Sequence, residues 1–286
     1  MRVGFIGLGR MGRPMSQSLA QAGHDLVLCD ARAETATALA VAYRGTAAAS
    51  PAEIARGCDA AVLSLPGPAE SEAVMLGRDG LLAAARPGFL VIDMTTNTVP
   101  HSREMARRAI ERGVQYLDAP VSRGGRGALS VMVGGDEAAF ARAQPLLASI
   151  APTVCHVGAS GMGTALKLVN QAVYVTYMAA FAEGLALAEE YGVPLEAALT
   201  ALGPASAGDP LVTTKYEEIR GRGDKRFAIG SAVRYLDYTD AAFGGLATAK
   251  PIIDAAAQSL KQAAAAGFAD EDLIVARRRY LARPKG

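Results

Sequence analysis

In the stretch GMGTALKLVNQAVYVTYMAA, residues 161 to 180, Lys167, Asn170 and Gln171 interrupt what otherwise reads as a glycine-rich entry into a long apolar helix. Lys167 and Gln171 are four residues apart, one turn from each other on one helical face, and Asn170 lies close to that face. A lysine is rarely buried without a partner or a task. It can also snorkel from a first turn into water, and spacing alone leaves both readings open.

The second chemical signal is RVGFIGLGRMGRPM at the start of the chain. Gly7, Gly9 and Gly12 form GxGxxG directly after a predicted strand and at the start of a predicted helix. There the turn must be tight and the backbone must approach a pyrophosphate closely. Leu8, Arg10 and Met11 complete the loop. Asp30 closes the second predicted strand at the usual distance, where its carboxylate can accept hydrogen bonds from both adenosine ribose hydroxyls. Its charge would repel a 2'-phosphate, so NAD is favoured over NADP; Arg32, two residues on, keeps NADP open.

Metal chemistry finds no support, because no cluster of His, Asp and Cys ligands is present. His24, His101 and His156 read as turn and strand-end residues. Cys29, Cys58 and Cys155 are far apart, odd in number and without CxxC spacing, which suits a reducing cytoplasm better than a disulfide framework.

These residues need a scaffold, and the periodicity supplies one. Up to residue 157, strands are expected at Arg2–Ile6, Asp25–Cys29, Asp59–Leu65, Phe89–Asp93, Val114–Asp118, Leu129–Val133 and Thr153–Val157. Helices are expected at Met11–Ala22, Glu34–Ala42, Pro51–Arg56, His101–Arg112 and Asp136–Ala148. That alternation predicts an α/β fold, a mostly parallel, doubly wound Rossmann-type sheet. From Gly163 the strand signal vanishes, and alanine-rich helical patterns run to Arg279. The expected organisation is a dinucleotide-binding domain over 1–162 and an all-helical substrate and dimerisation domain over 163–286, opened by a long interdomain helix. The 286 residues allow two domains, and a formal net charge of +1 offers no footprint for nucleic acid or an anionic membrane. The longest nearly apolar run, residues 172 to 182, is too short to span a bilayer. A small partner is expected.

Three further segments follow predicted strands. Leu65 and Pro66, in SLPGP, stand at a carboxyl end, where they contact a cofactor or simply turn the chain. Thr96 reads as a helix cap or turn residue. In DAPVSRGGRGA, Ser122 sits among small residues suited to holding a carboxylate with a hydroxyl and backbone N–H groups.

Taken together, FIGLGRMGRPMSQS, SLPGPAESEAVMLGRDGLL, VIDMTTNTVP, YLDAPVSRGGRGALSVMVGGD and GMGTALKLVNQ resemble, in order and near spacing, the signatures of the beta-hydroxyacid dehydrogenases. That group includes 3-hydroxyisobutyrate dehydrogenase, tartronate semialdehyde reductase and 6-phosphogluconate dehydrogenase. The resemblance implies that Lys167 is the catalytic acid/base: neutral, it accepts the hydroxyl proton during oxidation; protonated, it donates to the carbonyl oxygen during reduction. It implies that Leu65, Pro66 and Thr96 contact the cofactor, that Ser122 and the backbone of Arg123 and Gly124 bind the substrate carboxylate, and that an amide one turn after Lys167 positions the hydroxyl. It also implies a homodimer or homotetramer built through the helical domain. Some positions depart from the common pattern. Ser18 replaces an asparagine, Arg123 a glycine and Gln171 an asparagine, with Asn170 as a substitute ligand; Arg234 and Tyr235 stand where a lysine and an aspartate are usual. Arg234 is carried as a cofactor or substrate contact. Arg123 either narrows the pocket, adds a charge for a doubly anionic substrate or is a solvated loop residue.

The expected function is hydride transfer between NAD and a small 3-hydroxy acid or its semialdehyde. An NADPH-dependent glyoxylate or succinic semialdehyde reductase is disfavoured by Asp30, and an imine reductase by Lys167. A non-catalytic dinucleotide-binding module is the alternative of another class.

Overall fold

The computed structural model describes residues 1–123, 128–205, 207, 219 and 227–276. The chain divides into two compact units, Met1–Lys167 and Leu168–Gly286.

The first unit is built on a nine-stranded sheet. Strands β1 (Arg2–Ile6), β2 (Asp25–Cys29), β3 (Thr46–Ala47), β4 (Ala60–Leu63), β5 (Leu90–Asp93) and β6 (Gln115–Asp118) lie parallel in the order β3-β2-β1-β4-β5-β6. Strand β8 (Leu129–Gly135) then runs antiparallel to β6, and β7 (Val121–Arg123) runs antiparallel to β8. Strand β9 (Thr153–Gly158) runs parallel along β8. The order reverses direction between β1 and β4, the switch point at which such sheets bind ligands beyond their carboxyl ends.

Alternate residues of each strand enter different cores, as a two-residue period requires. Phe5, Leu28, Val62 and Ile92 pack with Leu19 of α1 (Gly12–Gln21), Ala36 of α2 (Ala33–Tyr43) and Leu146 of α7 (Glu137–Ile150). Ile6, Val27, Leu63 and Val91 pack with Ile54 of α3 (Pro51–Gly57), Met75 of α4 (Pro68–Leu76), Leu81 of α5 (Leu81–Ala84) and Met105 of α6 (Val99–Ile110). Helices thus cover both faces.

The expected strands and helices of this unit are present, β1 and β2 with the expected ends and the others with shifted ends, and four elements escaped the periodicity. Strand β3 is two exposed residues long. Strand β7 has three residues. Helix α4 buries only Ser71 and Met75, too sparse an apolar stripe to read, and α5 is a single turn. The antiparallel turn of β8 breaks the parallel pattern because the chain from β6 runs directly into β7 and doubles back, with no crossover helix. His101 is a residue of α6, as the helical pattern and not its reading as a turn residue has it; the helix starts two residues earlier, at Val99, and its cap is Thr98, whose hydroxyl accepts from the His101 N–H at 3.3 Å.

Helix α8 (Met162–Glu190) spans 29 residues and runs across the unit boundary. In the second unit it is followed by α9 (Leu195–Leu202), α10 (Ile229–Phe243) and α11 (Pro251–Ala263). A π-helical turn, Ala264–Phe268, and a 3-10 turn, Leu273–Ala276, complete the described elements. The core gathers Val175, Met178, Ala182 and Leu185 of α8 with Leu199, Ile229, Leu236 and Leu260. Of the apolar face that helical spacing suggests, Val173, Tyr177, Phe181 and Leu185, the last two are buried in this core and Tyr177 packs against it, whereas Val173 is 60% exposed. No helix among the described residues is long and apolar enough to cross a membrane.

Candidate functional site

The three glycines of the first loop serve three purposes. Gly7 has a φ of 93°, and a Cβ there would stand 2.3 Å from the Ser64 carbonyl oxygen. A Cβ on Gly12 would meet the Gly7 carbonyl oxygen at 1.9 Å, so α1 can start where it does only with glycine. A Cβ on Gly9 would meet nothing within 4 Å. Packing therefore explains two of the glycines, and the third borders open space in front of the N-terminus of α1. That N-terminus has no side-chain cap, which leaves its N–H groups to attract an anion.

Asp30, just beyond β2, is already ordered by the same loop. One carboxylate oxygen accepts from the Leu8 N–H at 2.7 Å and the other from the Arg32 N–H at 3.0 Å. Each oxygen keeps a lone pair for a ribose hydroxyl. The Arg32 guanidinium lies 3.8 Å from Asp30 and is largely exposed. Arg10 is exposed and Met11 half-buried. The open space at Gly9, the uncapped helix and the preset carboxylate fit a dinucleotide.

Leu65 is half-buried and Pro66 exposed past the end of β4, and Thr96 is half-buried past the end of β5. The two loops are tied together, because the Leu65 N–H donates to Thr95 Oγ1 at 3.1 Å. Beneath them sits Asp93, fully buried. Its carboxylate accepts from Ser71 Oγ at 2.7 Å, Asn97 Nδ2 at 2.9 Å, Tyr116 Oη at 3.0 Å and the Thr95 N–H at 3.0 Å. Burial first, then the charges of Asp93 and Asp118, push the Tyr116 phenol well above its ordinary range, so it stays a donor. Replacing Asp93 with alanine would leave several buried donors unsatisfied. The expected cost is about 3 kcal/mol of unfolding free energy, read as a lower urea midpoint; an unchanged midpoint would show that the network carries no stability.

Nothing in local spacing marks Asp93, Tyr116 or Ser71 as related. The readable signal is that two neighbouring strands both end in aspartate: Asp93 and Asp118 are directly paired in register between β5 and β6. Asp118 also holds backbone donors, accepting from the Gly161 N–H and the Thr164 N–H at 2.7 Å each.

Lys167, three residues further along α8, is only 6% exposed. Burial lowers its amine from the ordinary lysine value to about 8. Burial of the residue speaks against the snorkelling reading of the lysine. Gln171, one turn on, is buried, and the half-buried Asn170 donates from Nδ2 to Gln171 Oε1 at 3.3 Å. Ser122 is half-buried on β7, paired with Ser130 of β8. Arg123 pairs through its backbone with Leu129, and Gly124 lies outside the described residues. Arg234 is exposed on α10, its guanidinium 5.7 Å from the Tyr235 ring, which stacks on Phe227. Tyr235, standing where an aspartate is usual, thus has a packing role. Among the described residues no group of three or more His, Cys, Asp or Glu side chains is placed to hold a metal.

Comparison with known proteins adds to this picture. Residues 2–158 match the family model described as the NAD binding domain of 6-phosphogluconate dehydrogenase. Residues 161–279 match the model described as NAD-binding of NADP-dependent 3-hydroxyisobutyrate dehydrogenase. The 2-(hydroxymethyl)glutarate dehydrogenase of Eubacterium barkeri is 36% identical over 237 residues, 82% of this chain and 78% of that one. Among solved structures, Mycobacterium tuberculosis 3-hydroxyisobutyrate dehydrogenase with L-serine is 31% identical and superposes with a TM-score of 0.82, over 98% of this chain and 99% of that one. A 3-hydroxyisobutyrate dehydrogenase from Salmonella typhimurium, 28% identical, gives a TM-score of 0.87 at the same coverage.

Proposed function

The chain belongs to the beta-hydroxyacid dehydrogenase family, and on that premise we propose that it transfers hydride between NAD and a small 3-hydroxy acid or its semialdehyde, with Lys167 carrying the proton. The observation that carries this reading is the buried Lys167, whose amine is brought to about 8 by desolvation. An amine in that range is a base in one direction and an acid in the other at near-neutral pH.

The glycine loop and the N-terminus of α1 would hold the pyrophosphate, Asp30 the adenosine ribose, and Leu65, Pro66 and Thr96 the remainder of the dinucleotide. When bound, NAD supplies the carbon that takes up or gives back the hydride. Ser122, with the backbone N–H groups of residues 123 and 124, binds the substrate carboxylate. Gln171 and Asn170 orient the hydroxyl toward Lys167 Nζ. In oxidation the neutral amine takes the hydroxyl proton; in reduction the ammonium returns it to the carbonyl oxygen. Arg234 is kept as a contact at the cofactor or substrate.

The substrate class follows from the chemistry shared by the relatives' names. 3-Hydroxyisobutyrate, 2-(hydroxymethyl)glutarate and L-serine each carry a CH2OH group on the carbon that bears a carboxylate. A screen of short 3-hydroxy acids and semialdehydes, both mono- and dicarboxylates, followed by the absorbance of the reduced nicotinamide, tests the reading. Turnover with one such compound supports it; cofactor binding with no turnover would favour a non-catalytic module. Preference for dicarboxylates would match the added charge of Arg123. Asp30→Ala is expected to reverse the preference for NAD, raising KM for NAD and lowering that for NADP, because Arg32 then meets a 2'-phosphate without a competing carboxylate. An unchanged ratio of kcat/KM values for the two cofactors would refute Asp30 as the selector. Assembly as a homodimer or homotetramer through the helical unit, and a cytoplasmic location suited to three free cysteines, belong to the same reading.

A further inference from the structure

We propose that Asp118 is a positioning residue for Lys167: its carboxylate fastens the first turn of α8 to the end of β6 and so sets where the lysine amine stands. The inference rests on the proton-carrying role proposed for Lys167.

Its support lies wholly within the first unit. Asp118 is 1% exposed, and its two oxygens take one α8-entry donor each, Gly161 N–H on Oδ1 and Thr164 N–H on Oδ2, both at 2.7 Å. Hydrogen bonds from N–H groups to a carboxylate are short and strong, and the start of a helix leaves such donors unpaired. A second tie runs to α6, where Ser102 Oγ and Thr164 Oγ1 share a hydrogen bond of 2.8 Å. The helix start also lies directly on strand backbone. A Cβ on Gly163 would stand 2.3 Å from the Met132 carbonyl oxygen and 2.5 Å from that of Asp118. On the strand side, a Cβ on Gly134 would stand 2.6 Å from Asp118 Oδ1. No side chain fits at these two positions, so the carboxylate and two glycines define one seating.

Lys167 is one turn beyond Gly163 on the same helix, and a helix transmits displacement of its first turn to the next with little loss. The titratable neighbours of Asp118 are Tyr116, on its own strand, and Asp93, paired with it on β5; the phenol donates to Asp93. Together the two aspartates divide the labour at the carboxyl end of the sheet. Asp93 gathers the loops after β4 and β5, and Asp118 gathers the helix that carries the lysine.

The test is Asp118→Asn in the full-length protein, using the substrate found by the screen and following kcat, KM for NAD and the pH dependence of kcat/KM for oxidation. An amide keeps one acceptor but turns an NH2 toward a backbone N–H, which unseats the turn. The expected result is a fall in kcat of about 10²-fold, with KM for NAD within about twofold, since the glycine loop and Asp30 are untouched. The pKa of the rising limb should move up from about 8 as water reaches the amine. Removing the Asp118 charge would by Coulomb's law move it down, if it moved it at all, so the direction separates the two effects. A purely structural role would lower the melting temperature and the active fraction while leaving the pKa in place. An unmoved or lowered pKa overturns the proposal. Should Asp118→Asn yield no folded protein, Ser102→Ala carries the test: it removes the tie to Thr164 and leaves both charges, and a smaller upward shift is expected. A wild-type profile there overturns the proposal as well. If Lys167→Ala itself retains turnover, the proposed function fails; if Lys167→Ala is inactive and the Asp118 and Ser102 variants keep the wild-type pKa, only this inference fails.

Discussion

Lys167→Ala should turn over the best substrate about 10³-fold more slowly than the parent enzyme, while binding NAD with nearly unchanged affinity. The expectation follows from where the side chain is and what it can do. The amine is buried, which disfavours the ammonium and brings its pKa to about 8. In the parent enzyme the oxidative rate should therefore rise with pH through about 8, as the amine loses its proton, and the reductive rate should fall over the same range. In Lys167→Ala both limbs should vanish from the residual rate. Lys167→Arg is the sharper control, because a guanidinium keeps the charge and most of the reach but does not release a proton in this range. If arginine restores activity, the lysine acts as a fixed charge and the acid–base role is wrong. Near-parental turnover in Lys167→Ala would remove the residue from the mechanism altogether.

Gly9→Val is the second large effect, and it should appear in cofactor binding with the fold intact. Gly9 lies outside the left-handed region, and a Cβ there meets no protein atom within 4 Å, so the backbone and the first side-chain carbon accept a substitution without strain. The valine methyl groups would occupy the space in front of α1 where the pyrophosphate is expected. A drop of about 10²-fold in kcat/KM for NAD is expected, with the melting temperature unchanged. Gly12→Ala should behave in the opposite manner, losing stability first, because its Cβ would collide with the Gly7 carbonyl oxygen. Comparing the two variants by thermal melts and by titration with NAD separates a ligand cradle from a packing constraint. Parental affinity in Gly9→Val would show that the dinucleotide lies elsewhere.

Much of this molecule is legible along the chain. Short apolar runs of period two place β1, β2, β4, β5 and β6, because the alternation that sends Phe5 to one core and Ile6 to the other is written in consecutive residues. The GxGxxG loop is likewise local, a tight turn and a helix start within a few residues, and Asp30 is found because it follows the very next predicted strand. The interruption of an apolar helix by Lys167 and Gln171 is visible for the same reason, since helical geometry converts a spacing of four into a shared face.

What was not legible joins residues far apart in the chain. Ser71 and Tyr116 reach Asp93 across 22 and 23 positions, and Gly161 and Thr164 reach Asp118 across 43 and 46. No periodicity encodes such pairs; they exist because strand order sets β5 beside β6 in register and brings the start of α8 onto their ends. The burial of Lys167, and with it the depressed amine pKa, also belongs to the tertiary structure, because desolvation depends on every segment that excludes water from one atom. Residue types and near-neighbour spacing thus specified which groups could do chemistry, and the folded arrangement decided which of them are held still, dry and close enough to do it.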